Sequence, residues 1–539
     1  MQKLLLYICI VLLCTQCAQI TPLTGGKKDD TPPKALSYKP ENASLNFSTK
    51  VIEVQFDEYI VLKDVNNQFI ITPQTKEMPE IEASGKKLRI VFNETLLPNT
   101  TYKLAFGNAI TDLNESNALQ NFEYIFSTGS TIDSLKLSGQ IFSAIDKKPV
   151  SQVLVGLYSA DANDSIIYKE KPLYISKTIE GGSFSFNYLP DSKFKVVGIR
   201  DQNKNLLYDG SEEQVAFANN PVSAKDSGNI SLLLFKEIPV KSFVKKSFQS
   251  EAGKAYIIFN KPQIDISTVR AQGLVHYMQN ISKDTLVLYY ADKFDTLQAF
   301  VDHGSGRTDT VLIKLPSQNT LKKQNTSLKY TMQVNMTTVL PFYMLPSFEL
   351  NYPVDGESIL ESKIILIEKA DTILRQLPFT IIADSGSITS FIVKADIKPE
   401  TSYTLTILKD ALNFRSQRSN DSITYKFKTT SVDDYAQLNM KLLLPEKENY
   451  LIQLLNDKEQ IVDERVVELS LTSTSEKIIA YKNLIPGNYF MKVVEDANKN
   501  GLFDMGDYFL HKQPEVIFVN QLPIKLLAGW EIENEWIVK

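Results

Sequence analysis

Apolar residues along this chain recur at every second position far more often than at every third or fourth. In Val51–Asp57, Ile52, Val54 and Phe56 alternate with Glu53, Gln55 and Asp57; Tyr403, Leu405 and Ile407 alternate likewise, as do Tyr489, Met491 and Val493. Successive side chains of a strand point to opposite faces, so this period predicts strands with one buried face. No stretch keeps a 3.6-residue apolar period over three turns. Tyr, Phe, Ile, Val and Thr suit pleated, half-buried surfaces, and turn clusters punctuate the strands. The pattern predicts an all-β chain of β-sandwiches.

Two internal repeats divide it. Pro98-Asn99-Thr100-Thr101-Tyr102 and Pro399-Glu400-Thr401-Ser402-Tyr403 share Pro-x-Thr-x-Tyr. Twenty-two residues after each Tyr comes Tyr-x-Phe-x-Thr, at Tyr124–Thr128 and Tyr425–Thr429, and Pro40-Glu-Asn42 and Pro353-Val-Asp355-Gly356 lie upstream. The Pro turn sets the entry to a strand, and the aromatic pairs fill the space between two sheets. The second repeat runs twelve residues, from Leu189 to Asp201 and from Leu484 to Asp496, with a Pro turn and an apolar strand in both.

The first repeat resembles the SbsA-type bacterial Ig-like domain, over residues 31–130 and again over 335–432. The second resembles a CnaB-type or carboxypeptidase-regulatory-type sandwich, carried by the Gly-Ser-Phe strand at Gly182–Phe184, the Leu189-Pro190 turn and the strand ending at Asp201. Together with the amino terminus, the chain resembles Ig-like lipoproteins of the Bacteroidota, which implies an envelope protein without known biochemical activity. The expected organisation is tandem Ig-like and CnaB-like sandwiches after a lipoprotein signal peptide (1–16) and a tether (17–30). The modules expected are 31–130, 135–235, a divergent sandwich at 236–334, 335–432 and 433–539. Joined end to end they would make an elongated molecule.

The amino terminus carries Lys3, then eleven apolar residues from Leu4 to Cys14, then Thr15-Gln16-Cys17. Eleven residues are too few to cross a hydrocarbon layer of ~30 Å and read as a signal-peptide core. A Cys just after that core resembles a lipobox, so Cys17 is the expected lipidation site. Gln16 departs from the small residue usual there, which leaves Cys14 as an alternative, and an ordinary signal peptide with incidental cysteines as another. Residues 18–36, rich in Gly, Pro, Thr and charge, read as the tether.

Composition narrows the chemistry. All three cysteines lie at 9, 14 and 17, so from Ala18 onward no disulfide, thiolate zinc site or cysteine nucleophile can form. The net charge of −5 gives no basic field for nucleic acid. The three histidines, 276, 303 and 511, carry no linear catalytic motif and read as solvated or satisfied.

Two acidic turns follow the second repeat. Asp201, Asn203, Asn205, Asp209 and Glu212 stand at positions 1, 3, 5, 9 and 12, as do Asp496, Asn498, Asn500, Asp504 and Asp507. Leu207 and Leu502 occupy position 7, where a carbonyl would serve. This is the spacing of a twelve-residue calcium loop, here between strands. Leu206 replaces the expected Gly in the first turn, and Asp507 the expected Glu in the second. Asx turns that satisfy their own backbone are the alternative.

Seven Asp-Ser/Thr-aliphatic triplets, at Asp133, Asp164, Asp284, Asp295, Asp309, Asp371 and Asp421, resemble O-glycosylation acceptors of Bacteroidota envelope proteins; strand entry after a turn gives the same triplet. Trp530 and Trp536 either pack or stack on sugar. The expected role is an outer-membrane lipoprotein, on the periplasmic or surface face, acting as a non-enzymatic structural or adhesion-like module. Its partners would be the membrane, through the lipid, and an envelope protein or glycan. A glycan- or polymer-binding accessory and a hydrolase with a loop-built site are the alternatives.

Overall fold

The computed structural model describes residues 29–539 except 226–227, 240, 252, 281–282, 291–295, 316–331, 335–337, 351, 355–358, 371, 385–388, 413–419, 446–448 and 469–475. Cys14, Cys17 and the expected signal peptide lie outside the described residues, as do Asp295, Asp355, Gly356 and Asp371. The chain is almost wholly β, in tandem β-sandwich modules. Among the described residues, five large apolar cores follow one another along it. By contact it divides into two compact units, Met1–Phe142 with Lys148–Leu234, and Ser143–Lys147 with Phe235–Lys539.

In the first unit, the sheet Ala35–Lys39, Val51–Phe56, Lys87–Val91, Glu80–Ser84 and the sheet Ile70–Thr72, Thr101–Ala105, Glu123–Ser127 enclose one core. The predicted alternation is present: Ile52, Val54 and Phe56 are fully buried, and their polar neighbours are not. The next module orders Tyr174–Lys177, Leu154–Ser159, Lys193–Ile199, Gln214–Phe217, Ile230–Lys236, Leu135–Ser143 and Ser183–Leu189 along one hydrogen-bonded path.

The repeated Pro-x-Thr-x-Tyr motif folds the same way twice. Leu97 N–H donates to the Tyr102 hydroxyl at 2.9 Å, and Lys398 N–H to that of Tyr403 at 2.8 Å. The Thr128 hydroxyl donates to Leu97 O at 2.7 Å and accepts from Thr100 N–H at 3.0 Å; Thr429 does the same with Lys398 O at 2.6 Å and Thr401 N–H at 2.9 Å. This is a tyrosine corner, which pins the turn to the strand after it.

In the second unit, Val244–Glu251, Lys254–Phe259, Thr285–Tyr290 and Leu274–Gln279 form a sheet facing Ile266–Ala271, Thr296–His303 and Thr308–Lys314. Thr285–Tyr290 is apolar on both faces for a reason. Leu286, Leu288 and Tyr290 fill this core, while Val287 and Tyr289 join the core of residues 340–427 behind it. That second core lies between Ser347–Leu350, Ser390–Ala395, Phe379–Ala383 and the sheet Ile423–Thr429, Ser402–Ile407, Ile364–Ala370, Ile373–Gln376.

The last module packs Glu476–Leu484, Ala436–Leu443 and Glu531–Ile537 against Ile461–Glu468, Asn449–Asn456, Gly487–Asp496 and Ile517–Val519. Among the described residues no helix is long and apolar enough to cross a membrane.

Candidate functional site

Both acidic turns leave a repeated strand, Lys193–Ile199 or Gly487–Asp496, and return to a strand that pairs with it, Gln214–Phe217 or Ile517–Val519. The turns are built alike. Asp201 accepts N–H bonds from Asn205 at 3.2 Å and Leu206 at 2.9 Å; the fully buried Asp496 accepts from Asn500 at 3.0 Å and Gly501 at 2.8 Å. Asn203 Oδ1 and Asn498 Oδ1 each accept the N–H two residues on, at 3.1 Å. Asn205 and Asn500 accept from Leu207 and Leu502, both at 2.7 Å. Their amide nitrogens, with those of Asn203 and Asn498, donate to Asp209 and Asp504. Leu206 keeps the fold of the turn despite its side chain: its φ of 65° matches the 70° of Gly501.

The twelfth position stands outside the hydrogen bonding that closes each turn. Glu212 is exposed and does not close the first turn; Glu213 does, 3% exposed, accepting from Gln202 N–H at 2.9 Å and Asp209 N–H at 3.1 Å. In the second turn Asp507 bonds instead to Leu510 N–H at 2.9 Å. Glu515 takes the closing place, accepting from Ala497 at 3.0 Å and Asp504 at 2.9 Å. Twelve-residue spacing gives neither, because each turn closes on a Glu that precedes the next strand, by one residue at Glu213 and by two at Glu515. The signal available was a Glu shortly before each pairing strand, at Glu213-Gln214 and Glu515-Val516-Ile517.

The second turn is the longer, and its extra residues are anchored. Tyr508 N–H donates to Glu237 Oε1 at 2.6 Å. Gly506 lies so close to Phe235 that a Cβ there would meet the ring at 2.5 Å, so no larger residue fits without displacement. Burial raises the Glu515 carboxyl above its ordinary range, and the Asp504 and Asp496 charges add to this, against the two N–H bonds it accepts.

A hard cation needs converging oxygens, and these turns hold carboxylates, amide oxygens and carbonyls. As arranged, the amides present nitrogen to Asp209 and Asp504, so each turn is closed by its own donors. Among the described residues no group of three or more His, Cys, Asp or Glu side chains is placed to hold a metal.

The other candidates separate. His303 is buried, with Nδ1 2.9 Å from Asp265 and Nε2 3.2 Å from Asp309, a satisfied histidine as expected. Trp536 packs against the last core, while Trp530 is 48% exposed. Five triplet hydroxyls, Ser134, Thr296, Thr310, Thr372 and Ser422, are exposed; Leu135, Thr296 and Ile423 each begin a strand, as strand entry requires.

Residues 29–128 match the family model for the bacterial Ig-like domain. No curated protein matches the chain. Among solved structures, it is similar to the S-layer protein rSbsC(31-844), at 11% identity over 92% of this chain and 68% of that one, TM-score 0.15. The major pilin subunit BcpA of Bacillus cereus aligns at 8% identity over 75% of this chain and 99% of that one, TM-score 0.14. The Bacteroides ovatus protein SGBP-B, in complex with mixed-linkage heptasaccharide, aligns at 9% over 64% and 87%, TM-score 0.17. Likeness this low carries no argument about function.

Proposed function

We propose that this chain is a lipid-anchored cell-envelope protein whose tandem sandwiches serve as a structural or binding module and catalyse no reaction. The observation that carries this is the repetition itself. Ig-like sandwiches with the same tyrosine corner recur at Tyr102 and Tyr403, after an amino terminus whose Cys17 stands where a lipobox places it. Repeated sandwiches offer surface and strand edges while their interiors are filled by packing. Fractionation tests it: the wild type should remain with the envelope, and Cys17→Ala should be released or left unprocessed.

For the two turns we propose calcium, with Asp201, Asn203, Asn205, Asp209 and Glu213 around one ion and Asp496, Asn498, Asn500, Asp504 and Glu515 around the other. The recurrence of one donor set, with a glutamate closing each turn, supports this reading. The ion would relieve carboxylate repulsion and stiffen a connection between paired strands.

A further inference from the structure

In the last module, the hairpin turn Asn456–Gln460 and the bend Asn483–Gly487 lie side by side, because Asn456 pairs with Tyr489 across neighbouring strands. Tyr343, which follows the Val339–Leu340 strand, completes the wall of a cavity of about 260 Å³ between them. That is room for a single sugar ring.

The lining is chemically selective. Tyr343 is 43% exposed, and its ring is held edge-to-face by Tyr435 at 5.2 Å and Phe342 at 5.5 Å, so its orientation is set before any ligand arrives. Asn456 is already spent: its Oδ1 accepts from Lys458 and Gln460 N–H, both at 3.0 Å, and its amide donates to Gln460 at 3.1 Å. The buried Tyr489 hydroxyl is spent on Ile485 O at 2.6 Å. Asp457, Asn483 and Asn488 differ, since their side chains make no hydrogen bond or ion pair with the described residues. The cavity therefore offers one aromatic ring, two uncommitted amides that both donate and accept, and one carboxylate that accepts.

A pyranose matches that set, with an apolar C–H face for the ring and hydroxyls for the amides and carboxylate. The lining contains Asp457 and no lysine or arginine, so a uronate or phosphate would meet an unopposed negative charge. We propose that this cavity is a binding subsite for one neutral pyranose of an oligosaccharide. The proposal rests on reading the chain as a binding module and assigns the class of ligand.

The test titrates the full chain with maltohexaose, cellohexaose, laminarihexaose and mannohexaose by calorimetry and saturation-transfer NMR, with oligogalacturonate as the anionic comparison. At least one neutral hexasaccharide should bind. Tyr343→Ala should weaken it about tenfold, and Tyr343→Phe, which keeps the ring, should leave it within about twofold. Asn483→Ala and Asn488→Ala should each weaken it about fivefold, the worth of one hydrogen bond. Melting of each variant checks that the module stays folded. Binding by none of the neutral sugars, binding indifferent to Tyr343→Ala, or tighter binding of oligogalacturonate would overturn the subsite. Envelope fractionation of the same variants reads the anchored-module proposal separately, since loss of sugar binding with retention intact defeats the subsite alone.

Discussion

Tyr102 and Phe126 stand directly opposite one another on paired strands, their rings stacked with centroids 5.3 Å apart. Tyr403 and Phe427 repeat the arrangement, also at 5.3 Å. In each pair the ring fills the core while the tyrosine hydroxyl reaches back to a backbone N–H five residues upstream, so one side chain serves packing and turn geometry together.

This makes the hydroxyl separable from the ring. Tyr102→Phe and Tyr403→Phe should each cost about 1 kcal/mol, one hydrogen bond, while Tyr→Ala at either position should cost about 3–5 kcal/mol through the cavity left behind. Denaturant unfolding reads the energies. Amide exchange should speed up at Leu97 in Tyr102→Phe and at Lys398 in Tyr403→Phe; unchanged protection at those amides would contradict the corner.

The closing carboxylates make a second prediction. Glu213→Ala leaves the Gln202 and Asp209 N–H groups without their acceptor and should destabilise by about 2 kcal/mol. Glu212→Ala, one residue away but exposed, should change stability by less than about 0.5 kcal/mol. Glu515→Ala and Asp507→Ala should differ in the same direction. A larger loss at Glu212 than at Glu213 would restore the twelve-residue spacing.

Glu515 also predicts a pH dependence. Its carboxyl is raised above the ordinary 4.5, with burial the first cause. A raised carboxyl binds its proton more tightly in the folded state than in the unfolded, so its ionisation costs stability. The cost is fully present above the folded pKa and disappears as pH falls from there through 4.5. The melting temperature of the wild type, relative to Glu515→Gln, should therefore rise across that window and level off on either side. A relative fall on acidification would reverse the assignment.

Calcium should raise the melting temperature of the full chain, because a ligand that binds only the folded state stabilises it. The rise should shrink with Asp201→Ala or Asp496→Ala and vanish when both are replaced. Melting that ignores millimolar calcium, with no heat of binding, would leave both turns as self-closed Asx turns.

Much of the fold was legible because its signals are periodic or local. Alternation placed Ile52, Val54 and Phe56 in the core, and the fixed spacing from Pro98 to Thr128 marked a repeated Pro turn and aromatic pair, which the structure resolves into a tyrosine corner whose partners keep a constant separation in sequence. The two-faced burial of Thr285–Tyr290 was not legible. Its apolar run is visible, but the residues behind Val287 and Tyr289 come from 340–427. The acidic turns were found and their closing residues missed, since Glu213 lies four residues after Asp209 and Glu515 eleven after Asp504. A variable insertion defeats fixed spacing. The Tyr343 cavity draws on segments more than a hundred residues apart and leaves no linear motif.

The anchored module is tested most directly by the mass of its amino-terminal peptide, taken from the membrane fraction of cells making the full chain. The account predicts a chain that begins at Cys17 and carries diacylglyceryl on its sulfur, with no such peptide from Cys17→Ala. A mature chain that begins elsewhere, or an unmodified Cys17 in a membrane-bound protein, would contradict it.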